Sequence, residues 1–167
     1  MKKLLILLLF LFTVKGYAQK CEAKKDAFTG KEIVEYDFGK KAVKFRVEED
    51  KIYLEMRFSY LGELNVSVPK GTAFLLKLDN ETVINLEVNA ETPPLSRIVG
   101  EHIYSFYVYE FELSKKELEQ LETAGTEMVR YPDPNGGTLD LKLTGGNRRL
   151  KKHLSAGSAC ILENLKS

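Results

Sequence analysis

The stretch Val43-Lys44-Phe45-Arg46-Val47-Glu48-Glu49-Asp50-Lys51-Ile52-Tyr53-Leu54-Glu55-Met56-Arg57-Phe58-Ser59-Tyr60 decides how this chain folds. Its apolar residues occupy every second position: Val43, Phe45 and Val47, then Ile52, Leu54, Met56, Phe58 and Tyr60. Side chains of a strand point alternately to two faces, so a period of two sends one apolar row inward. Lys44, Arg46 and Glu48, then Tyr53, Glu55, Arg57 and Ser59, face the other way. With the acidic break Glu49-Asp50 between the rows, the pattern reads as an antiparallel hairpin.

The same alternation extends outward. Val34, Tyr36 and Phe38 alternate with Glu35 and Asp37 before Gly39, and Leu64, Val66 and Val68 suggest a short strand ended by Pro69 and Gly71. Phe74 to Leu78 and Ile84 to Val88 form a second hairpin over Asp79-Asn80-Glu81. Residues 89–100 contain Pro93-Pro94 and no periodicity, and read as a surface loop. An aromatic strand follows over 102–113. Ser114-Lys115-Lys116-Glu117 is a capping box that opens a short helix near 115–124, stopped by Gly125. Glu127 to Tyr131 and Thr138 to Thr144 are strands around Pro132-Asp133-Pro134-Asn135-Gly136-Gly137. Asn147 can cap a C-terminal helix near 148–165, whose Leu150, Leu154, Ile161 and Leu165 recur at helical spacing. Ala156-Gly157-Ser158-Ala159 either weakens that helix or lets it approach a sheet closely. Hairpins followed by one short and one terminal helix predict an α+β fold built on a mainly antiparallel sheet. Periodicity leaves a curled sheet, a sandwich and a partial barrel open.

The N-terminus reads as an export signal. Lys2 and Lys3 precede the apolar run Leu4 to Phe12, which is about half the length a membrane-spanning helix needs, and Gly16-Tyr17-Ala18 offers small residues before a cut. The expected organisation is a signal peptide over 1–18 and one β-rich domain over 19–167, with no membrane span after cleavage. Cys21 follows Lys20 rather than a small residue, which argues against lipidation. The full chain holds 25 basic and 24 acidic residues; losing Lys2, Lys3 and Lys15 leaves the remainder close to neutral. Such a surface presents no field for nucleic acid. Two cysteines in an oxidising compartment read first as a disulfide, Cys21 to Cys160, although Cys160 would also pack well as a buried free thiol.

Three stretches are similar to small uncharacterised exported proteins of Bacteroidota: the Ala18-Gln19 cleavage site, Gly71-Thr72-Ala73-Phe74-Leu75-Leu76-Lys77-Leu78-Asp79-Asn80-Glu81, and Tyr109-Glu110-Phe111-Glu112-Leu113-Ser114-Lys115-Lys116-Glu117-Leu118-Glu119. The resemblance implies export to the periplasm or cell surface of a Gram-negative bacterium. It assigns no role to any residue.

The sequence carries little recognisable catalytic chemistry. His102 and His153 stand in no zincin pattern, Gly157-Ser158-Ala159 lacks the form of a nucleophile elbow, and the histidines and cysteines have no zinc-site spacing. Asp133-Pro134-Asn135-Gly136 with Asp140 faintly resembles a calcium loop but lacks its closing glutamate, so a plain turn is expected. No catalytic residue, metal or cofactor is assigned.

Two surface features remain. Arg148, Arg149, Lys151, Lys152 and His153 form a basic run that could meet a polyanion, or a solvated face opposite Leu150 and Leu154. In strand 102–113, turning Tyr107, Tyr109, Phe111 and Leu113 inward turns His102, Tyr104, Phe106 and Val108 outward, where aromatics can meet a partner protein or a glycan. The alternative is that both faces of this strand are covered. The chain has no tryptophan, which weakens the glycan reading. The leading expectation is a non-enzymatic, secreted or periplasmic binding module for an envelope or extracellular partner. The alternative is a small secreted hydrolase with a site assembled from separate strands, and a third reading is a protease inhibitor presenting loop 89–100.

Overall fold

A computed structural model describes residues 21–38 and 42–165. The signal peptide expected over 1–18 lies outside the described residues. Ten strands and two helices follow in order: β1 (Cys21–Lys25), β2 (Glu32–Asp37), β3 (Val43–Glu48), β4 (Lys51–Leu61), β5 (Ala73–Leu78), β6 (Val83–Glu87), β7 (Leu95–Val99), β8 (His102–Leu113), α1 (Lys115–Thr123), β9 (Thr126–Pro132), β10 (Thr138–Lys142) and α2 (Arg148–Leu165). A 3₁₀ turn, Gly145–Asn147, leads into α2.

The decisive hairpin is β3–β4, paired from Val43↔Met56 to Glu48↔Lys51 around Glu49-Asp50, both of which adopt left-handed φ. It stands at the middle of a six-stranded antiparallel sheet in the order β1-β2-β3-β4-β8-β7. A second antiparallel sheet, β10-β9-β5-β6, packs against it. The fold is α+β, and its sheets do not close into a barrel.

The inward row of the hairpin makes the core, as the alternation requires. Phe45, Leu54, Met56, Tyr109 and Phe111 are fully buried in the large sheet and Phe74, Leu76 and Val129 in the small one. Phe74 joins the layers, with ring centres 4.7 Å from Tyr109 and 4.8 Å from Phe111. Burying each such side chain contributes about 1.5–3 kcal/mol. Tyr60 donates to the Pro132 carbonyl at 2.8 Å and Tyr107 to that of Val66 at 2.6 Å, whereas the buried Thr126 hydroxyl has no hydrogen-bond partner among the described residues. Burial pushes the Tyr109 phenol up to about 12.

The capping box at Ser114 forms in full, with Glu117 returning to the Ser114 amide at 2.7 Å, and Leu118 and Leu121 are buried. Helix α2 crosses the inner side of β2 and β3, where Gly157 faces Phe45 and Tyr36. A Cβ at Gly157 would stand 2.9 Å from Tyr36 Cδ1 and closer still to the Phe45 ring. The small-residue stretch therefore serves close approach. A disulfide joins Cys21 of β1 to Cys160 of α2, with Cα atoms 5.9 Å apart.

Three expectations change and one unforeseen strand appears. Leu64-Val66-Val68 is not a strand; Val68 alone makes an isolated bridge, to Thr92. The segment is instead fixed by the Leu64 amide donating to Ser105 Oγ at 2.8 Å and by the Tyr107 hydroxyl donating to the Val66 carbonyl. The second half of loop 89–100 is a strand, β7, paired with β8 from Leu95↔Phe106 to Val99↔His102. Residues 21–25, which show no apolar row, form β1 by pairing with β2. Asn147 does not cap through its side chain, which donates to the Lys142 carbonyl at 3.3 Å.

Candidate functional site

The outer face of the large sheet is open to solvent, with no second layer over it among the described residues. It divides into two halves. Over β1 to β4 and the end of β8 it is a ladder of ion pairs: Lys44 with Glu35 at 2.9 Å, Arg46 with Glu110 at 3.0 Å, and Lys51 with Glu112 at 3.0 Å. Lys24 also pairs with Glu35, and Arg46 lies 4.9 Å from the Tyr53 ring centre. The other half, where β7, the start of β8 and the end of β4 meet, mixes apolar side chains with Arg57, Ser59, Arg97 and His102.

Strand β8 reaches that half with the expected alternation. Tyr107, Tyr109, Phe111 and Leu113 are buried; His102 is exposed, and Tyr104, Phe106 and Val108 are half-buried. Register places Leu95 beside Phe106, Arg97 beside Tyr104 and Val99 beside His102 on one face. Leu61 joins them opposite Tyr104 from β4. Leu61 is 69% exposed, Leu95 56% and Val99 54%. On the reverse side, Ile98 opposes Ile103, and Ile98 is 77% exposed. This strand end is thus apolar on both faces, where sheet surfaces are ordinarily polar on the solvent side.

Backbone direction adds a second property. The Gly62 amide donates to the Ile103 carbonyl, so Ile103 faces β4 and its neighbour Tyr104 faces β7. Alternation then turns the Arg97 backbone toward β8 and the Ser96 and Ile98 amides toward the free edge. Arg97 itself makes no ion pair among the described residues.

No family model, curated protein or solved structure matches this chain.

The aromatic rings do not make a flat platform. His102 and Tyr104 stand at 88° to each other, and Tyr104 and Phe106 at 39°, with centres 6.4 Å apart in both pairs.

The basic run does not form one solvated face. Lys151 pairs with Asp79 at 3.4 Å, while Arg148, Arg149 and Lys152 are exposed. His153 is buried, its Nδ1 2.7 Å from the Tyr36 hydroxyl and its ring stacked on Phe38. Burial, then the charges of Lys152 and Arg149, hold His153 below its ordinary value. The unfolded chain takes up this proton near pH 6.5, the folded protein only at lower pH. Protonation therefore favours unfolding, and stability contributed by neutral His153 is full above pH 6.5 and declines as pH falls through that window. The urea midpoint is expected to drop between pH 7.5 and 5.5, and His153→Gln to flatten that drop. An equal drop in the variant would refute the assignment.

Asp133 accepts from the Asn135 amide at 2.9 Å, and Asp140 is held by Arg130 at 2.6 Å, so both carboxylates serve the β9–β10 turn. No group of three or more metal-ligating side chains occurs among the described residues.

Proposed function

We propose that this protein is an exported, non-enzymatic binding module that takes an extended segment of a partner protein along the free edge of β7. The observation behind this reading is the coincidence, at one sheet edge, of unpaired backbone amides with apolar side chains on both faces. Addition of a strand to such an edge supplies main-chain hydrogen bonds and buries alternate side chains. The outward row Leu95-Arg97-Val99 asks for a partner strand with an acidic residue between two apolar ones. Edge strands left open in this way invite uncontrolled pairing unless they are used or guarded. Pro93-Pro94 guards one end of β7, and nothing of that kind interrupts Leu95–Val99.

Several features favour binding over the hydrolase reading. Buried Ser105 and Ser158 donate to the carbonyls of Gly62 at 2.9 Å and Leu154 at 2.8 Å, rather than to a base. His153 is engaged with Tyr36, and His102 stands exposed at the start of β8. Export rests on the N-terminal pattern, and the Cys21–Cys160 disulfide fits an oxidising compartment. No helix among the described residues is long and apolar enough to cross a membrane.

Capture from envelope extracts by the mature protein should be lost in two variants. Tyr104→Ala with Phe106→Ala removes the face, and Ser96→Pro with Ile98→Pro removes both edge amides. The partner so obtained should slow hydrogen exchange at Ser96 and Ile98. Capture unchanged in both variants, or exchange protection confined to other strands, would overturn the proposal.

A further inference from the structure

A separate cleft of about 740 Å³ opens where the start of α2 meets the two sheets. Just past the pair Val43↔Met56, where the Arg57 amide donates to the Ala42 carbonyl at 3.0 Å, the buried Phe58 contributes to the cleft wall. Phe58 stacks on Tyr131 with ring centres 4.3 Å apart, and Leu141 of β10 and Leu150 of α2 complete an apolar floor. At the mouth, the turn into α2 brings up Arg148 and Arg149. Both guanidinium groups are exposed, and neither makes an ion pair or hydrogen bond among the described residues. No aspartate or glutamate is among the described residues lining the cleft. Thr144, at the entry to the turn, offers no side-chain cap, and the first turn of α2 contains no acid.

We propose that this cleft binds a small anionic amphiphile, its apolar body on Phe58, Tyr131 and Leu141 and its carboxylate or phosphate head at Arg148 and Arg149. The volume falls within the range of about 300–1,000 Å³ typical of small-molecule sites, and an apolar wall with a few converging polar groups is their usual composition. Guanidinium groups hold carboxylate and phosphate in paired hydrogen bonds, so the head fixes orientation while the floor supplies contact area. The site is distinct from the β7 edge and stands or falls without it.

The probes are decanoate, decyl phosphate and decanol, titrated into the mature, disulfide-bonded protein and followed by isothermal calorimetry and by methyl shifts at Leu141 and Leu150. Decanoate or decyl phosphate should bind one to one, and the tighter of the two identifies the preferred head. Decanol should bind at least tenfold more weakly. Arg148→Gln with Arg149→Gln, both exposed and so compatible with folding, should weaken the better anion about tenfold without changing decanol. Leu141→Ser should weaken all three probes. Equal binding of anions and decanol, no loss in the arginine variant, or no saturable binding of either anion would overturn the proposal.

Discussion

Reduction of the Cys21–Cys160 disulfide is expected to lower the free energy of unfolding by about 4–5 kcal/mol. The bond spans 139 positions of sequence, so its removal releases nearly the whole domain in the unfolded state. The folded state has little to gain or lose, because β1 already pairs with β2 from Cys21↔Tyr36 onward and α2 already packs on β2 and β3. Asn164 of α2 reinforces the joint, donating to Cys21 Sγ at 3.2 Å. Strand β1 contributes almost no apolar burial of its own, since Glu22 to Lys25 are exposed. Urea titrations with and without reductant, repeated on Cys21→Ser with Cys160→Ser, measure the effect. The slope should rise on reduction as the released chain expands. A loss below about 1 kcal/mol would show that the chain-entropy account does not hold for this bond.

Gly157→Leu is expected to destabilise by about 3 kcal/mol or more, at the upper end of overpacking effects. Helix propensity alone predicts the opposite sign, since replacing a helical glycine gains up to about 1 kcal/mol. Packing decides against it. The neighbours of a new Cβ are the rings of Phe45 and Tyr36, both fully or almost fully buried, so neither can move without disturbing the core. Even Gly157→Ala should therefore destabilise, by about 1–3 kcal/mol. Gly146→Ala is the control: it lies outside left-handed φ with open space around it, and should shift the midpoint by less than about 0.5 kcal/mol. Stabilisation by Gly157→Ala would place α2 farther from the sheet than described.

Much of the architecture was legible in the chain because burial on one face leaves a record in side-chain spacing. The row Ile52 to Phe58 and the row Tyr107 to Leu113 are both buried as their alternation requires, and the capping box placed α1. Strand β7 left no such record. Leu95 to Val99 are all exposed and pair with β8 through backbone, which is indifferent to side-chain type. The converse holds at Leu64-Val66-Val68, where alternation is present but the chain bonds to side chains instead of a partner strand, the Leu64 amide donating to Ser105 Oγ and the Val66 carbonyl accepting from Tyr107. His153 looked solvated from its basic neighbours; its partners Tyr36 and Phe38 lie more than a hundred positions away.

The amino-acid order alone pointed to an antiparallel α+β domain, and it left open whether His102, Tyr104, Phe106 and Val108 face solvent and whether the two cysteines pair. Periodicity is a local property, so it reports which way each side chain turns from its own backbone. Only the tertiary structure decided what each face meets. It brought β7 to the edge of the large sheet, and it set Arg148 and Arg149 of α2 around one cleft with Phe58, Tyr131 and Leu141, which come from separate strands with no shared spacing. Contacts between such distant segments depend on how the two sheets and α2 stack, and no short stretch of sequence encodes that.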